Sequence, residues 1–306
     1  MATSLVSPPP SPATWPESAI LTGHLAPSSL AKYQQALRAY LAFCGTPVQA
    51  LQATNLARWR THLAQHTTLS PHTINRLLAA VKRLVKEAAA QGYVEVVTAA
   101  AFASVSGVKP QALKDRLKTT TRTRITPGQM RLLCEAPDLQ TLRGRRDRAL
   151  LATLASSGCR VSEVVTLTAA QIASRTGRFV LQVLGKNQTA SREAPLSQEA
   201  YMLIEAWLAR RPVASDSLFT SFAGRGARAT AKPMSTAAVW QAVQYYTGAV
   251  GLHHVKPHDF RRFVGTELAK RDIRQAQKAL GHTRIETTAK HYVLDELEVG
   301  LTDGLY

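Results

Sequence analysis

The chain has 306 residues, with 38 Lys plus Arg against 20 Asp plus Glu, a formal net charge of +18 at pH 7. Hydrophobic residues make up 45% of it, enough for a sizeable core without staples, so a disordered basic tail protein is excluded. A globular protein with such a cationic surplus is expected to meet a polyanion, nucleic acid first and an anionic membrane surface second; a halophile-type or acidic-ligand protein is excluded.

Residues 1–16 are rich in Pro, Ser and Thr and are expected to form a flexible tail. They carry neither a basic n-region nor an apolar h-region, so no secretory signal is read there. No run of 18 apolar residues exists, so no membrane partner by a spanning helix is expected. Cys44, Cys134 and Cys159 show no CxxC spacing, which gives neither a disulfide framework nor a zinc site. Reduced thiols in a bacterial or archaeal cytoplasm, near the nucleoid, are the expectation.

From Pro27 the pattern is helical. Ser28 or Ser29 is expected to cap a helix carrying Leu30, Tyr33, Leu37, Tyr40 and Leu41, ended at Gly45. Thr54 or Asn55 caps a second helix with Leu56, Trp59 and Leu63. Ser70 followed by Pro71 opens a third, with Ile74, Leu77, Leu78, Val81, Leu84 and Val85 on one face and Gly92 at its close. An Ala-rich helix follows from about Val94. Residues 17–108 thus read as an all-helical domain. Residues 109–124 are basic and aperiodic and read as a linker.

The second domain, residues 125–306, starts with Thr126 as a cap before Pro127. A buried helix ends at Ser157-Gly158, and a further one runs from about Val161. Arg178–Leu184 alternates with period two and reads as a strand, followed by a turn and a return strand from Ser191 to Leu196. Helices resume near Gln198 and are expected to dominate to the end. Of the adjacent Tyr245 and Tyr246, one is expected buried and one exposed.

Five short segments stand in a telling order. They are Gly158-Cys159-Arg160-Val161-Ser162-Glu163, Gly185-Lys186-Asn187, Pro257-His258-Asp259-Phe260-Arg261, Leu280-Gly281-His282-Thr283 and Thr287-Thr288-Ala289-Lys290-His291-Tyr292. Taken singly, each is ordinary: a helix-terminal arginine, a solvated turn lysine, a histidine near a helix cap. Taken in order, they resemble the tyrosine recombinase (phage integrase-like) family, nearest to its plain two-domain Xer-like members. The resemblance covers most of residues 125–300 and, more loosely, residues 25–108.

The resemblance implies a mainly α fold: a helical core-binding (SAM-like) domain plus an α-rich catalytic domain with a small antiparallel β-sheet, together a C-shaped clamp on DNA. It implies a DNA strand-cleaving and rejoining enzyme that works through a 3′-phosphotyrosyl intermediate and a Holliday junction. Arg160 and Arg261 would hold the non-bridging oxygens of the scissile phosphate, because a guanidinium offers a planar donor fork and a permanent charge. Lys186 would protonate the leaving 5′ oxygen. Tyr292 would be the nucleophile. His258 would accept the phenolic proton or hold an oxygen, and His282 would donate to a non-bridging oxygen. Glu163 would buttress the active-site helix or pair with an arginine.

In some members the nucleophile falls one position earlier, which is His291 here; Tyr292 fits the other spacing. Five histidines (His253, His254, His258, His282 and His291) crowd the last part of the chain. No carboxylate or cysteine stands at ligand spacing beside them, so neither a metal nor any other cofactor is expected.

The partners implied are duplex DNA with a specific core site and three further copies of the chain, a homotetramer on two sites in synapsis. Arg76, Lys82, Arg83 and Lys86, with Lys114, Arg116, Lys118, Arg122 and Arg124 of the linker, are candidate phosphate contacts. Arg143, Arg145, Arg146, Arg148, Arg225 and Arg228 are similar candidates. Val293 to Tyr306 is expected to pack on a neighbouring protomer or to fold back on its own domain. Fewer than 30 residues precede Ser28, so no folded arm-binding domain is expected there. A type IB topoisomerase and a non-catalytic DNA-binding protein remain as other readings.

Overall fold

The computed structural model describes residues 15–117, 124–185, 190–224 and 228–292. The chain divides into two units, residues 1–120 and 121–306. Most of the expected tail, the segment after Tyr292 and the turn bearing Lys186 lie outside the described residues, as do Lys118, Arg122 and Arg225.

The first unit is helical. α1 (Pro27–Cys44) starts on Pro27, whose fixed φ suits the first helical position; no serine hydroxyl caps it. It ends where Gly45 takes φ +79°, a value only glycine adopts cheaply. A one-turn α2 (Pro47–Ala50) then intervenes, capped by the Thr46 hydroxyl, which accepts from the Gln49 N–H at 3.3 Å. α3 (Ala53–His66) follows. Asn55 is not its cap; its amide donates to the Gln49 carbonyl at 2.8 Å and ties α2 to α3.

α4 (Pro71–Ala90) begins at the Ser70 cap, whose hydroxyl accepts from the Thr73 N–H at 3.3 Å. It buries Ile74, Leu78, Val81, Leu84 and Val85 against Leu37, Tyr40, Leu56 and Trp59. Each such side chain contributes about 1.5–3 kcal/mol, so this face of α4 anchors the unit. α5 (Val96–Ser104) adds Phe102 to the same core.

Beyond α5 the chain is strapped back. The Asn75 amide donates to the Val108 carbonyl at 2.9 Å and accepts from its N–H at 2.7 Å. Arg60 Nη1 donates to the Ser106 carbonyl at 3.1 Å. The expected aperiodic linker therefore opens as part of this unit. Pro110–Arg116 form a 3-10 helix, and Leu113 packs on the first core.

The second unit starts with α6 (Pro127–Glu135), closed by a reciprocal Thr126–Gln129 capping box. α7 (Leu142–Ser157) is the central helix, and Gly158 ends it in the left-handed region at φ +61°. A single turn, α8 (Val161–Val164), follows. Next comes an antiparallel sheet in the order β1 (Ile172–Arg175), β2 (Arg178–Leu184), β3 (Ser191–Leu196). β2 and β3 match the expected strands. β1 was not expected, because its four residues show no alternation.

α9 (Gln198–Arg210) packs on α7. Helices do not simply run on from there: β4 (Thr220–Ala223) and β5 (Arg228–Pro233) form a second, antiparallel pair. Apart from Phe222 its residues are mostly small or polar, and much of its hold comes from elsewhere. The buried Arg146 donates to the Thr220 carbonyl at 2.9 Å, and the Ser221 hydroxyl to the Pro233 carbonyl at 2.7 Å. Then come α10 (Thr236–Ala249), α11 (Pro257–Ala269), α12 (Ile273–Leu280) and α13 (Ile285–Tyr292). Leu150, Leu154, Trp207, Phe219 and Phe260 centre this second core. Tyr246 is buried at 7% exposure and Tyr245 lies out at 71%.

Candidate active site

The site collects where helices of the second unit stop or start. Gly158 is needed twice over: its φ is positive, and a Cβ there would meet Leu280 Cδ2 at 3.0 Å and Val264 Cβ at 3.1 Å. The turn it makes places Arg160 at the N-cap of α8. Glu163, buried at 3% exposure, holds that arginine twice. Its Oε2 accepts from the Arg160 backbone N–H at 2.8 Å, and its Oε1 from Arg160 Nη1 at 2.8 Å. The Arg160 side chain is still 41% exposed, so part of its fork faces outward. Cys159 next to it is no nucleophile, because burial pushes its thiol up.

α11 begins at Pro257. The Asp259 carboxylate caps it by accepting the Lys256 N–H at 2.9 Å, and also pairs with Arg262 at 3.0 Å. One turn of this helix carries His258 and, three residues on, Arg261. Arg261 is 1% exposed. Its Nη1 donates to the Gly158 carbonyl at 2.9 Å, and its Nη2 to the Leu280 carbonyl. Both carbonyls lie at helix C-termini, where acceptors are left over and the dipole favours a cation. Burial, then repulsion from Arg160, pull the Arg261 pKa below its ordinary value, yet an arginine keeps its charge.

His258 is exposed, but partial burial and the guanidiniums of Arg262, Arg261 and Arg160 hold its pKa below the usual histidine value, against the opposing pull of Asp259. These neighbours favour the neutral imidazole, the form able to accept a proton. His282 follows Gly281, whose φ of +66° closes α12. Its Nε2 lies 3.2 Å from Arg261 Nη2, and its Nδ1 lies 2.9 Å from Thr288 Oγ1. A guanidinium only donates, so Nε2 accepts, and in the neutral ring Nδ1 carries the proton and donates to Thr288. For the donation to phosphate expected of His282, either its Nε2 leaves Arg261 and gains a proton or its Nδ1–H leaves Thr288.

Tyr292, the last described residue, lies in α13 at 3% exposure. Its ring stacks on His282, with centroids 5.4 Å apart and planes 19° apart. It rests directly on α11, because a Cβ at Gly265 would come within 2.4 Å of its Cδ1. Arg160, His258, Arg261, His282 and Tyr292 therefore come together; Lys186 lies outside the described residues. Three supports were not singled out from sequence: Thr288, Gly265 and Arg192. Thr288 stood in the last of the five quoted segments, and Arg192 left a signal as a charge in register with the inward Ala194 and Leu196. Among the described residues, no group of three or more His, Cys, Asp or Glu gathers as a metal would need.

Of the candidate phosphate contacts, Arg76, Arg83 and Lys86 are exposed on α4, opposite its buried face. Lys82 lies to one side, and its ammonium donates to the Ala103 and Val105 carbonyls at the end of α5. Lys114 and Arg124 are exposed; Arg116 is half-buried beside Asp115. Arg146 is interior: it pairs with Asp147 at 2.7 Å and stacks over Phe222, so its charge serves the fold.

The phage integrase family model matches residues 123–297, and that of the phage integrase N-terminal SAM-like domain matches residues 17–94. The chain belongs to the phage integrase family. Tyrosine recombinase XerD of Xanthomonas axonopodis pv. citri is 34% identical over 177 residues, 54% of this chain and 56% of the relative. XerD of Neisseria meningitidis serogroup B is 33% identical over 189 residues, 59% and 60% of the two chains. The match thus spans little more than half the length of these curated relatives.

Among solved structures, the fold matches XerH site-specific recombinase bound to palindromic difH substrate, with TM-score 0.67, 16% identity and coverage of 94% of this chain and 84% of that one. It also matches a lambda integrase dimer bound to a COC′ core site, with TM-score 0.66, 15% identity and coverage of 92% and 96%. No described helix is long and apolar enough to cross a membrane.

Proposed function

We propose that this protein is a site-specific DNA recombinase that cuts and rejoins duplex DNA through a 3′-phosphotyrosyl intermediate and a Holliday junction. The observation that carries the reading is the convergence of Tyr292, His282, Arg261 and Arg160. The buried Tyr292 ring stacks on His282, which bonds Arg261, and Arg261 in turn feels the charge of Arg160. Two guanidiniums held beside each other repel, and a phosphate between them relieves that repulsion most where charge grows on its oxygens.

The Tyr292 oxygen attacks the scissile phosphorus, and His258, kept neutral by its cationic neighbours, takes the phenolic proton. Arg160 and Arg261 bind the non-bridging oxygens. Lys186 protonates the 5′ oxygen as it leaves. The bond energy stays in the phosphotyrosyl linkage, so religation by an incoming 5′ hydroxyl needs no nucleotide. Arg76, Arg83 and Lys86 hold phosphates from the first unit. Four copies act on two sites.

The test is covalent capture. A pool of random-sequence duplexes, nicked so that the cleaved strand cannot rejoin, is incubated with protein, and DNA that survives denaturation on the protein is sequenced. Wild type is expected to enrich one core sequence, and Tyr292→Phe none. Joints between two copies of that sequence, detected by amplification, separate recombination from relaxation alone. Absence of any adduct with wild type sinks the reading.

A further inference from the structure

Beyond the segment bearing Lys186, β3 places an arginine where a strand should bury an apolar side chain. Arg192 shares its face with Ala194 and Leu196, 0% and 5% exposed, and pairs in register with the buried Val183. Its side chain is 8% exposed. A guanidinium cannot shed its charge there and needs an anion. It finds Glu163: Arg192 Nη2 donates to Oε2 at 2.7 Å. The same carboxylate accepts the Arg160 backbone N–H on Oε2 and Arg160 Nη1 on Oε1, both at 2.8 Å. Glu163 is thus a junction between β3 and Arg160.

Stability alone does not account for this arginine. Among the described residues, its Nε and Nη1 are buried with no hydrogen-bond partner stronger than the neighbouring Cys159 thiol. Unmade donors are costly, and an apolar side chain would match the face and leave none. We infer that Arg192 is a positioning residue for strand cleavage: through the Glu163 carboxylate it fixes the orientation in which Arg160 meets the scissile phosphate. The inference rests on the recombinase reading above. With Arg192 in place, Oε2 is engaged from the strand side and only Oε1 is offered to the Arg160 fork. Without it, the Arg160 guanidinium is drawn inward across both oxygens. An error of about 1 Å in such a group costs about a hundredfold in rate.

The test uses the captured, nicked duplex in two forms. One carries the ordinary scissile phosphate. The other carries a methylphosphonate, in which a methyl group replaces one charged oxygen, so that guanidinium placement matters less. Arg192→Met is expected to bind the duplex as wild type does, and to form the adduct about a hundredfold more slowly on the ordinary phosphate. Much of that loss should vanish on the methylphosphonate, as it should for Arg160→Ala. Arg192→Lys should recover part of the rate. Because Arg192→Met leaves a buried carboxylate short of a partner, Glu163→Gln/Arg192→Met is measured beside it and should show the same substrate pattern.

Wild-type cleavage by both Met variants overturns the inference. So does an equal loss on both substrates, the mark of a loosened fold. Unfolding of both variants by circular dichroism overturns it too, leaving Arg192 to the fold alone. Lack of a wild-type adduct is seen before any variant is tested and removes the recombinase reading itself.

Discussion

At the scale of single residues, the site is built from leftover groups. Carbonyls that α7 and α12 cannot use internally hold Arg261, and a missing Cβ at Gly265 seats Tyr292. Gly265→Ala puts a methyl group within 2.4–2.8 Å of three Tyr292 ring atoms, so the ring must move. Alanine favours a helix over glycine by about 1 kcal/mol, which offsets part of the ~1.5–3 kcal/mol lost when a large buried side chain leaves, so the melting temperature should fall only modestly while Tyr292 is driven out. Nitration of Tyr292 by tetranitromethane, read by peptide mass, should quicken, and adduct formation should slow at least tenfold. An unchanged nitration rate would count against the seat.

His258 sets a pH signature. Its folded-state pKa is lowered, so the neutral base persists below the ordinary histidine value of about 6.5. The rate of adduct formation should stay level from pH 8 down to about 6.5 and fall only at more acid pH. The stability sign runs the same way: the unfolded chain takes up the proton first, so stability drops as pH falls through the window between the two values. His258→Gln should abolish the acid limb of the rate profile. A profile that keeps it points to another base.

At the scale of elements, α4 does two jobs on opposite faces. Its apolar face anchors the first core, and its outer face offers Arg76, Arg83 and Lys86. Lys82 belongs to neither face. It holds the end of α5, and burial, then the charge of Arg60, lower its pKa. Lys82→Met should lower stability by about 1.5–3 kcal/mol, the worth of a hydrogen bond to a charged group, while leaving DNA affinity near normal. Arg83→Glu should do the reverse. Ser70→Ala removes the α4 cap and should cost about 1 kcal/mol in denaturant unfolding.

At the scale of the whole molecule, the +18 charge is not one reservoir. Arg146 and Arg192 are interior, and Arg160 and Arg261 gather at one point. What remains exposed should govern affinity through counterion release. Deleting a cation that neutralises one phosphate should flatten the slope of log K against log salt by about 0.9. Arg76→Ala, Arg83→Ala and Lys86→Ala combined should flatten it by nearly three such steps, measured by fluorescence anisotropy. A slope equal to that of wild type would remove the α4 stripe from the DNA interface.

Much of this was legible in the sequence because it is local. Ser70-Pro71, Thr126-Pro127 and the glycines at 45, 158 and 281 mark helix ends by covalent geometry, which needs no partner to act. The β2–β3 pair showed itself by alternation, and the ordered Arg, His-x-x-Arg, Gly-His and Tyr segments pointed to residues that the fold brings together. Burial, by contrast, depends on what arrives from far along the chain. Nothing local distinguishes Arg146, turned inward onto Asp147 and Thr220, from the exposed Arg83. Nothing local ties Arg192 to Glu163, seats Tyr292 on Gly265 or chooses the His282 tautomer. Those were decided only when α7, α11, α12, α13 and β3 met, because a charge or a ring takes its role from the groups that enclose it.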